Sequence, residues 1–304
     1  MKAIDLFAGW GGFTLAAEMA DVDVVWAANH WPLAVEAHAL NHPKTEHVCQ
    51  DLRQANWARL PRYDLMLASP SCQGHSEASQ PKRAVDPRFH DAMRATAWAV
   101  VDCADVTTPK ALIVENVPEF REWRLYSKWR ECLETIGYHL TEHVLTASHH
   151  GVPQRRRRLF IIGTRRVAKL TLPTPTPEPA FGPCINWNEG IWKPVALAPH
   201  AVQERIARGR KRLGRRFITQ HVTGHPGIPL DEPIRTITTK DQFAAVDGDH
   251  YRPLTVRETA RGMSFPENYT WPAHASRRDM ITGLGNAVCP LQGRDVIEMV
   301  KEAA

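Results

Sequence analysis

The chain has 304 residues, 43% of them apolar and 23% charged, with a formal net charge of +5. No apolar run approaches the roughly 18 residues that span a bilayer, and the opening Met1-Lys2-Ala3-Ile4-Asp5-Leu6-Phe7 turns acidic too soon for a signal peptide, so neither a membrane nor a secreted protein is expected. Cysteines at 49, 72, 103, 132, 184 and 289 form no CxxC pair, which argues against a disulfide framework or a zinc site and for a reducing, cytoplasmic setting.

Ala3 to Phe7 is apolar and is followed by Gly9, Gly11, Gly12 and then Leu15 to Ala20, the pattern strand, glycine turn, helix. Val22 to Ala28 predicts a second strand and Pro32 to Asn41 a helix, with proline suited to its first turn. Glu46 to Val48 is a short third strand, Tyr63 to Ala68 a fourth and Ala111 to Val114 a fifth. Helices are predicted over Arg88 to Ala104 and Trp123 to Ile136, and later strands over Leu140 to Ala147 and Arg158 to Gly163. This alternation implies a mostly parallel, doubly wound α/β sheet.

From Pro173 to Pro179 every second residue is proline, an extended connector. Residues 180 to 233 show weak periodicity. We expect a small lobe over 166–250, with the catalytic domain formed by 1–165 plus 251–304. Arg257 to Met263, Arg278 to Leu284 and Leu291 to Glu302 are predicted helices, the last returning to the first domain. Arg155 to Arg158 is a run of four arginines, and Arg205 to Arg216 holds seven Lys/Arg in twelve residues. Such clusters form either a solvated face or a grip on a polyanion.

The apolar run to Ala68 leads directly into Ser69-Pro70-Ser71-Cys72-Gln73-Gly74-His75-Ser76. A cysteine opening a loop at the carboxyl end of a buried strand sits where open α/β sheets put their chemistry. It is equally a residue type that fills cores. The glycine turn lets backbone approach a ligand, although it is not a GxGxxG fingerprint, and a plain tight turn explains it as well. Asp51 follows strand three and serves either as a cap or as a partner for an amino group. Glu115 ends strand five directly after four apolar residues, which is costly without a partner or a task. Parallel strands bring Cys72 and Glu115 to one sheet edge.

Phe7-Ala8-Gly9-Trp10-Gly11-Gly12, Pro70-Ser71-Cys72-Gln73-Gly74-His75-Ser76, Glu115-Asn116-Val117, Gln154-Arg155-Arg156-Arg157-Arg158 and Gly285-Asn286-Ala287-Val288 occur in that order. In these motifs the chain resembles the DNA (cytosine-5)-methyltransferases, from residue 4 to about 298. The resemblance implies a Rossmann-like domain that binds S-adenosylmethionine, a small target-recognition domain, and double-stranded DNA as partner of a monomeric enzyme in a prokaryotic or phage-infected cell. It implies Cys72 as nucleophile toward carbon 6 of a flipped-out cytosine, Glu115 as the group gripping the ring, and Arg156 and Arg158 as braces of base and active site. Arg155 and Arg157 are then placed to meet backbone phosphate. Phe7, Gly9, Gly11, Asn29, Asp51, Asn286 and Val288 would hold the cofactor, with Asp51 at the adenine. The loop Gln73 to Asp86 would close over the base.

Two positions depart from the family pattern. Ser71 stands where a second proline is usual. Asn29 ends strand two where the family usually has an acid for the cofactor ribose. Only 70 residues separate Thr164 from Arg235, which fits a recognition site of about two to four base pairs. A transfer RNA methyltransferase of the same family and a catalytically silent binding module are the alternative readings.

Overall fold

The protein is described by a computed structural model covering residues 1–70, 95–222 and 224–303. Among these residues, seven strands form the main sheet: β1 (Lys2–Leu6), β2 (Asp23–Asn29), β3 (Glu46–Cys49), β4 (Leu65–Ala68), β5 (Ala111–Asn116), β6 (His139–Thr146) and β7 (Arg157–Thr164). Their order is β3-β2-β1-β4-β5-β7-β6. Only β7 runs against its neighbours, pairing antiparallel with both β5 and β6. The mostly parallel α/β fold expected from the alternation is therefore present.

Alternation along each strand builds a core on both faces. Ile4, Leu6, Met66, Ala68, Leu112 and Val114 point to one cluster, shared with helices α3 (Trp98–Thr107) and α4 (Tyr126–Thr135). Ala3, Leu65, Leu67, Ala111 and Ile113 point to the other, shared with helix α1 (Gly12–Met19) and the final helix. Helix α2 (Pro32–Asn41) keeps the predicted bounds. The described part of the segment predicted helical over 88–104 is a short 3-10 turn and then α3; residues 88–94 lie outside the described residues. The helix expected from Trp123 starts at Tyr126, because a 3-10 turn begun by Pro118 occupies Pro118–Glu122.

A second sheet holds β8 (Lys193–Pro194), β9 (Arg216–Gln220), β10 (Phe243–Asp247) and β11 (His250–Pro253), in the order β9-β10-β11-β8. Helix α5 (His200–Leu213) packs on β9, burying Ile206 and Gly209 against Phe217. The basic stretch carried by α5 and the start of β9 is largely occupied by internal partners. Arg205 Nε donates to Thr219, Arg210 pairs with Asp249, and Arg215 and Arg216 share Asp247. Lys211 has no partner among the described residues.

Helices α6 (Val256–Gly262) and α7 (Arg277–Asn286) follow, and α8 (Pro290–Ala303) returns to lie on α1. A Cβ on Gly293 would sit 2.8 Å from the Ala16 side chain. No helix among the described residues is long and apolar enough to cross a membrane.

Candidate active site

Strands β1, β2, β4 and β5 run parallel, so their carboxyl ends open on one edge of the sheet. A cavity of about 310 Å³ lies there, in the range of small-molecule sites. Its floor is the turn after β1, its near wall Asn29, His30 and Trp31 after β2, and its far wall Ser69, Pro70, Glu115 and Val117. Arg156, Arg158 and residues 282–283 and 286–288 close it.

The floor is an unusual backbone. Phe7 has φ +63°, Gly9 +53° and Gly11 +72°. The left-handed region costs a non-glycine residue about 1–3 kcal/mol and persists only where surroundings enforce it. Here Ser69 donates its N–H to Leu6 and its hydroxyl to the Phe7 carbonyl, while Ala8 N–H binds Ala28. Gly12 opens α1 against the last motif: a Cβ there would lie 2.1 Å from the Val288 carbonyl oxygen.

Beneath the turn runs a chain of buried polar side chains. Thr14 Oγ1 bonds Asp5 at 2.8 Å and His38 Nε2 at 3.0 Å, and His38 Nδ1 lies 2.8 Å from His47. Burial pushes the Asp5 carboxyl up to about 7, only partly offset by Thr14. Burial and the neighbouring His42 and His47 push His38 well below the ordinary histidine range.

Glu115 is buried on the cavity wall with Arg158 Nε 2.9 Å from its Oε1. The pair is close in charge but not aligned as a hydrogen bond, so the carboxyl keeps capacity for another partner. Burial raises the proton affinity of Glu115, and the guanidinium groups of Arg158 and Arg156 oppose that rise. Arg156 is buried and braces backbone: it donates to Ile237 at 2.9 Å, Gly285 at 2.9 Å and Ala287 at 3.0 Å. It thereby joins the segment before α6 to the Gly285-Asn286-Ala287-Val288 motif on the cavity rim.

A sequence profile of the C-5 cytosine-specific DNA methylases matches residues 1–193 and 200–302. The chain belongs to that family. The methylase is 29% identical to the type II methyltransferase M1.HphI of Haemophilus parahaemolyticus, over 98% of this chain and 86% of that protein. It is 26% identical to M.XorII of Xanthomonas oryzae pv. oryzae, over 99% of this chain and 84% of that one. A solved structure of a putative DNA modification methyltransferase encoded within an E. coli prophage shares the fold, with TM-score 0.74 and 19% identity over 100% of this chain and 99% of the other. The methylase is thus an enzyme, a DNA (cytosine-5)-methyltransferase, and methyltransferases of this family use S-adenosylmethionine.

Of the residues singled out from sequence, Phe7, Gly9, Asn29, Glu115, Arg156, Arg158, Asn286 and Val288 all line this one cavity. Two do not. Gly11 faces away, toward His42 and His38. Asp51 accepts from the Arg53 backbone N–H at 3.0 Å and pairs with its guanidinium at 2.5 Å, which holds its carboxyl below the usual range. Cys72, Ser71 and the loop Gln73 to Asp86 lie outside the described residues. The last described residue before them is Pro70, whose carbonyl accepts from Asn116 Nδ2 at 3.1 Å. Arg155 differs from expectation: it binds Glu178 and Glu232 rather than standing free for phosphate. Sequence reasoning missed His30 and Trp31 as cavity walls, although they directly follow Asn29. It also gave Asn116 no role of its own.

Proposed function

We propose that the methylase transfers a methyl group from S-adenosylmethionine to carbon 5 of a cytosine flipped out of a short double-stranded DNA sequence. The observation that carries this reading is one cavity that brings together the glycine turn, the buried Glu115–Arg158 pair and the chain entering the Cys72 segment. The cofactor fits on physical grounds. The walls are mainly apolar, the left-handed turn bares backbone at the start of α1, and few polar groups face inward. Phe7, Gly9, Asn29, Asn286 and Val288 would hold it, with Gly11 shaping the turn. A role for Asp51 at the adenine requires its pair with Arg53 to open.

When bound, the cofactor would supply an electrophilic methyl on a sulfonium and would be left as the neutral thioether once the S–CH3 bond breaks. The chain's own groups must make carbon 5 nucleophilic. The Cys72 thiolate adds to carbon 6, forming a carbon–sulfur bond and moving the ring's electrons toward carbon 5 and nitrogen 3. Glu115 holds a proton at nitrogen 3, which its raised proton affinity favours. Arg158 keeps that carboxyl oriented and limits the rise, and Arg156 keeps the rim assembled. After carbon 5 takes the methyl, a base removes its proton, the electrons reform the 5,6 double bond, and the thiolate leaves. A base within the stack cannot reach such a cavity, so flipping is required.

We divide the chain as 1–165 plus 251–304 for catalysis and 166–250 for target recognition. We take the enzyme to act as a monomer in the cytoplasm, in restriction–modification or as an orphan or phage enzyme; the type II relatives support the first of these roles. The test is covalent trapping. Double-stranded DNA carrying 5-fluorocytosine is expected to form an adduct in the presence of S-adenosylmethionine, and Cys72→Ser to form none. Bisulfite sequencing of the expression host is expected to show methylated cytosine in one short motif. An adduct with RNA only, or none with any nucleic acid, would overturn this reading.

A further inference from the structure

The rim of the cavity after β2 carries a hydrogen-bond donor, Asn29 Nδ2, at the position where open α/β sheets meet a nucleoside ribose. Asn29 is the last residue of β2 and lies 20 residues beyond Gly9, the region that meets a ribose in sheets of this type. Its Oδ1 accepts the Trp31 backbone N–H at 2.9 Å. A backbone N–H can bond only an oxygen of the amide, so the orientation of the group is fixed and Nδ2 is its other end. Nδ2 has no protein partner among the described residues, and Asn29 lines the cavity. His30 lines it beside Asn29. The nearby carboxylates lie elsewhere: Asp51 pairs with Arg53 outside the cavity wall, and Glu115 stands beside Arg158 on the far wall, away from β2. Among the described residues no free carboxylate faces this rim.

We propose that Asn29 determines cofactor specificity by reading the ribose oxygens through N–H donors. The site then takes adenosyl cofactors whose ribose hydroxyl hydrogen has been replaced by a substituent. This rests on the S-adenosylmethionine reading of the cavity. A carboxylate must accept the hydroxyl hydrogens, so it loses a charge-assisted bond when the oxygen is capped. An amide N–H uses the oxygen lone pairs, which an ether keeps. Asn29→Asp is the matched opposite: one oxygen still caps Trp31 N–H, and the second presents a negative acceptor to the cavity.

The test is calorimetric titration of the full chain with S-adenosylhomocysteine and its 2′-O-methyl and 3′-O-methyl forms, with no turnover involved. Wild type is expected to bind at least one methylated form within about threefold of the parent, since no charge-assisted bond is lost. Asn29→Asp is expected to tighten the parent about tenfold and to weaken that same methylated form by tenfold or more relative to it. Rejection of both methylated forms by wild type, or an unchanged ratio in Asn29→Asp, overturns the proposal. The wild-type comparison stands even if the variant fails to fold. No binding of the parent probe by folded wild type overturns the cofactor reading, and the proposal with it.

Discussion

At the scale of single residues, two buried carboxyls in one fold meet opposite surroundings. Glu115 has two guanidinium groups beside it and a cavity in front of it; Asp5 has one hydroxyl and no charge to balance it. Glu115→Gln keeps the shape and removes the proton that the proposed mechanism places at nitrogen 3. It is expected to slow 5-fluorocytosine trapping by about 10²-fold or more while S-adenosylhomocysteine affinity is unchanged; a loss of both equally would mean that Glu115 only holds the wall. Asp5 acts on stability. The folded carboxyl keeps its proton to about pH 7, whereas an exposed one loses it near 3.8. The folded state therefore binds the extra proton between those values, and stability falls as pH rises across that window, by at most about 4 kcal/mol. Asp5→Asn keeps an acceptor for Thr14 and removes the titration. Its stability relative to wild type, followed by urea unfolding, is expected to climb from about pH 4 to about pH 7. A difference independent of pH would contradict this account.

The run of four arginines shows what one residue's letter conceals. The sequence marks Arg155 to Arg158 as a unit, yet alternation along an extended chain sends them to different surroundings. Arg156 goes inward to three carbonyls and Arg158 to Glu115, while Arg155 goes to two surface carboxylates. Arg156 and Arg158, which the motif resemblance singles out, both line the cavity. The carboxylates that occupy Arg155 come from positions 178 and 232, and no local pattern announces them.

At the scale of elements, legibility follows periodicity. Helix α2 was readable because Pro32 starts it and small apolar residues recur along its buried side. Helix α5 was not, because its buried positions are Arg205, Ile206 and Gly209 and much of the rest is charged. Strands of two to five residues in the second sheet leave too few positions for an alternation to show. The close approach of α7 to its neighbours was also silent in the sequence beyond its glycines. A Cβ on Gly285 would lie 2.3 Å from the Thr238 carbonyl carbon. Gly285→Ala must push apart the two segments that Arg156 joins, and a loss of about 2 kcal/mol or more is expected in urea unfolding. A neutral result would show that this packing yields freely.

At the scale of the whole molecule, the small sheet is fastened to the rest by a buried ion pair. Arg252 on β11 donates to Glu258 on α6 at 2.7 and 2.8 Å and also to the Asn186 carbonyl, while Glu258 caps its own helix through Thr255 and receives Asn186 N–H. Arg252→Met would leave a carboxylate buried without its cation, and a loss of about 3–5 kcal/mol is expected. Replacing both partners with apolar residues is expected to recover part of it; additive losses would argue that the pair is not coupled. The basic helix behaves differently from its composition. With most of its arginines satisfied internally, the salt dependence of DNA binding is expected to fall by about one ion on Lys211→Ala and to stay unchanged on Arg215→Ala.

The return of the last helix has a consequence for the protein's life before it is complete. Residues 282–283 and 286–288 wall the cavity, and Val288 sits against Gly12 at the very start of α1. Synthesis therefore delivers the wall after β1 long before the wall that includes Val288. Until residue 288 has been made, the segments of the cavity made earlier lack the wall that closes it. A chain cut before residue 282 is therefore expected to bind no S-adenosylhomocysteine.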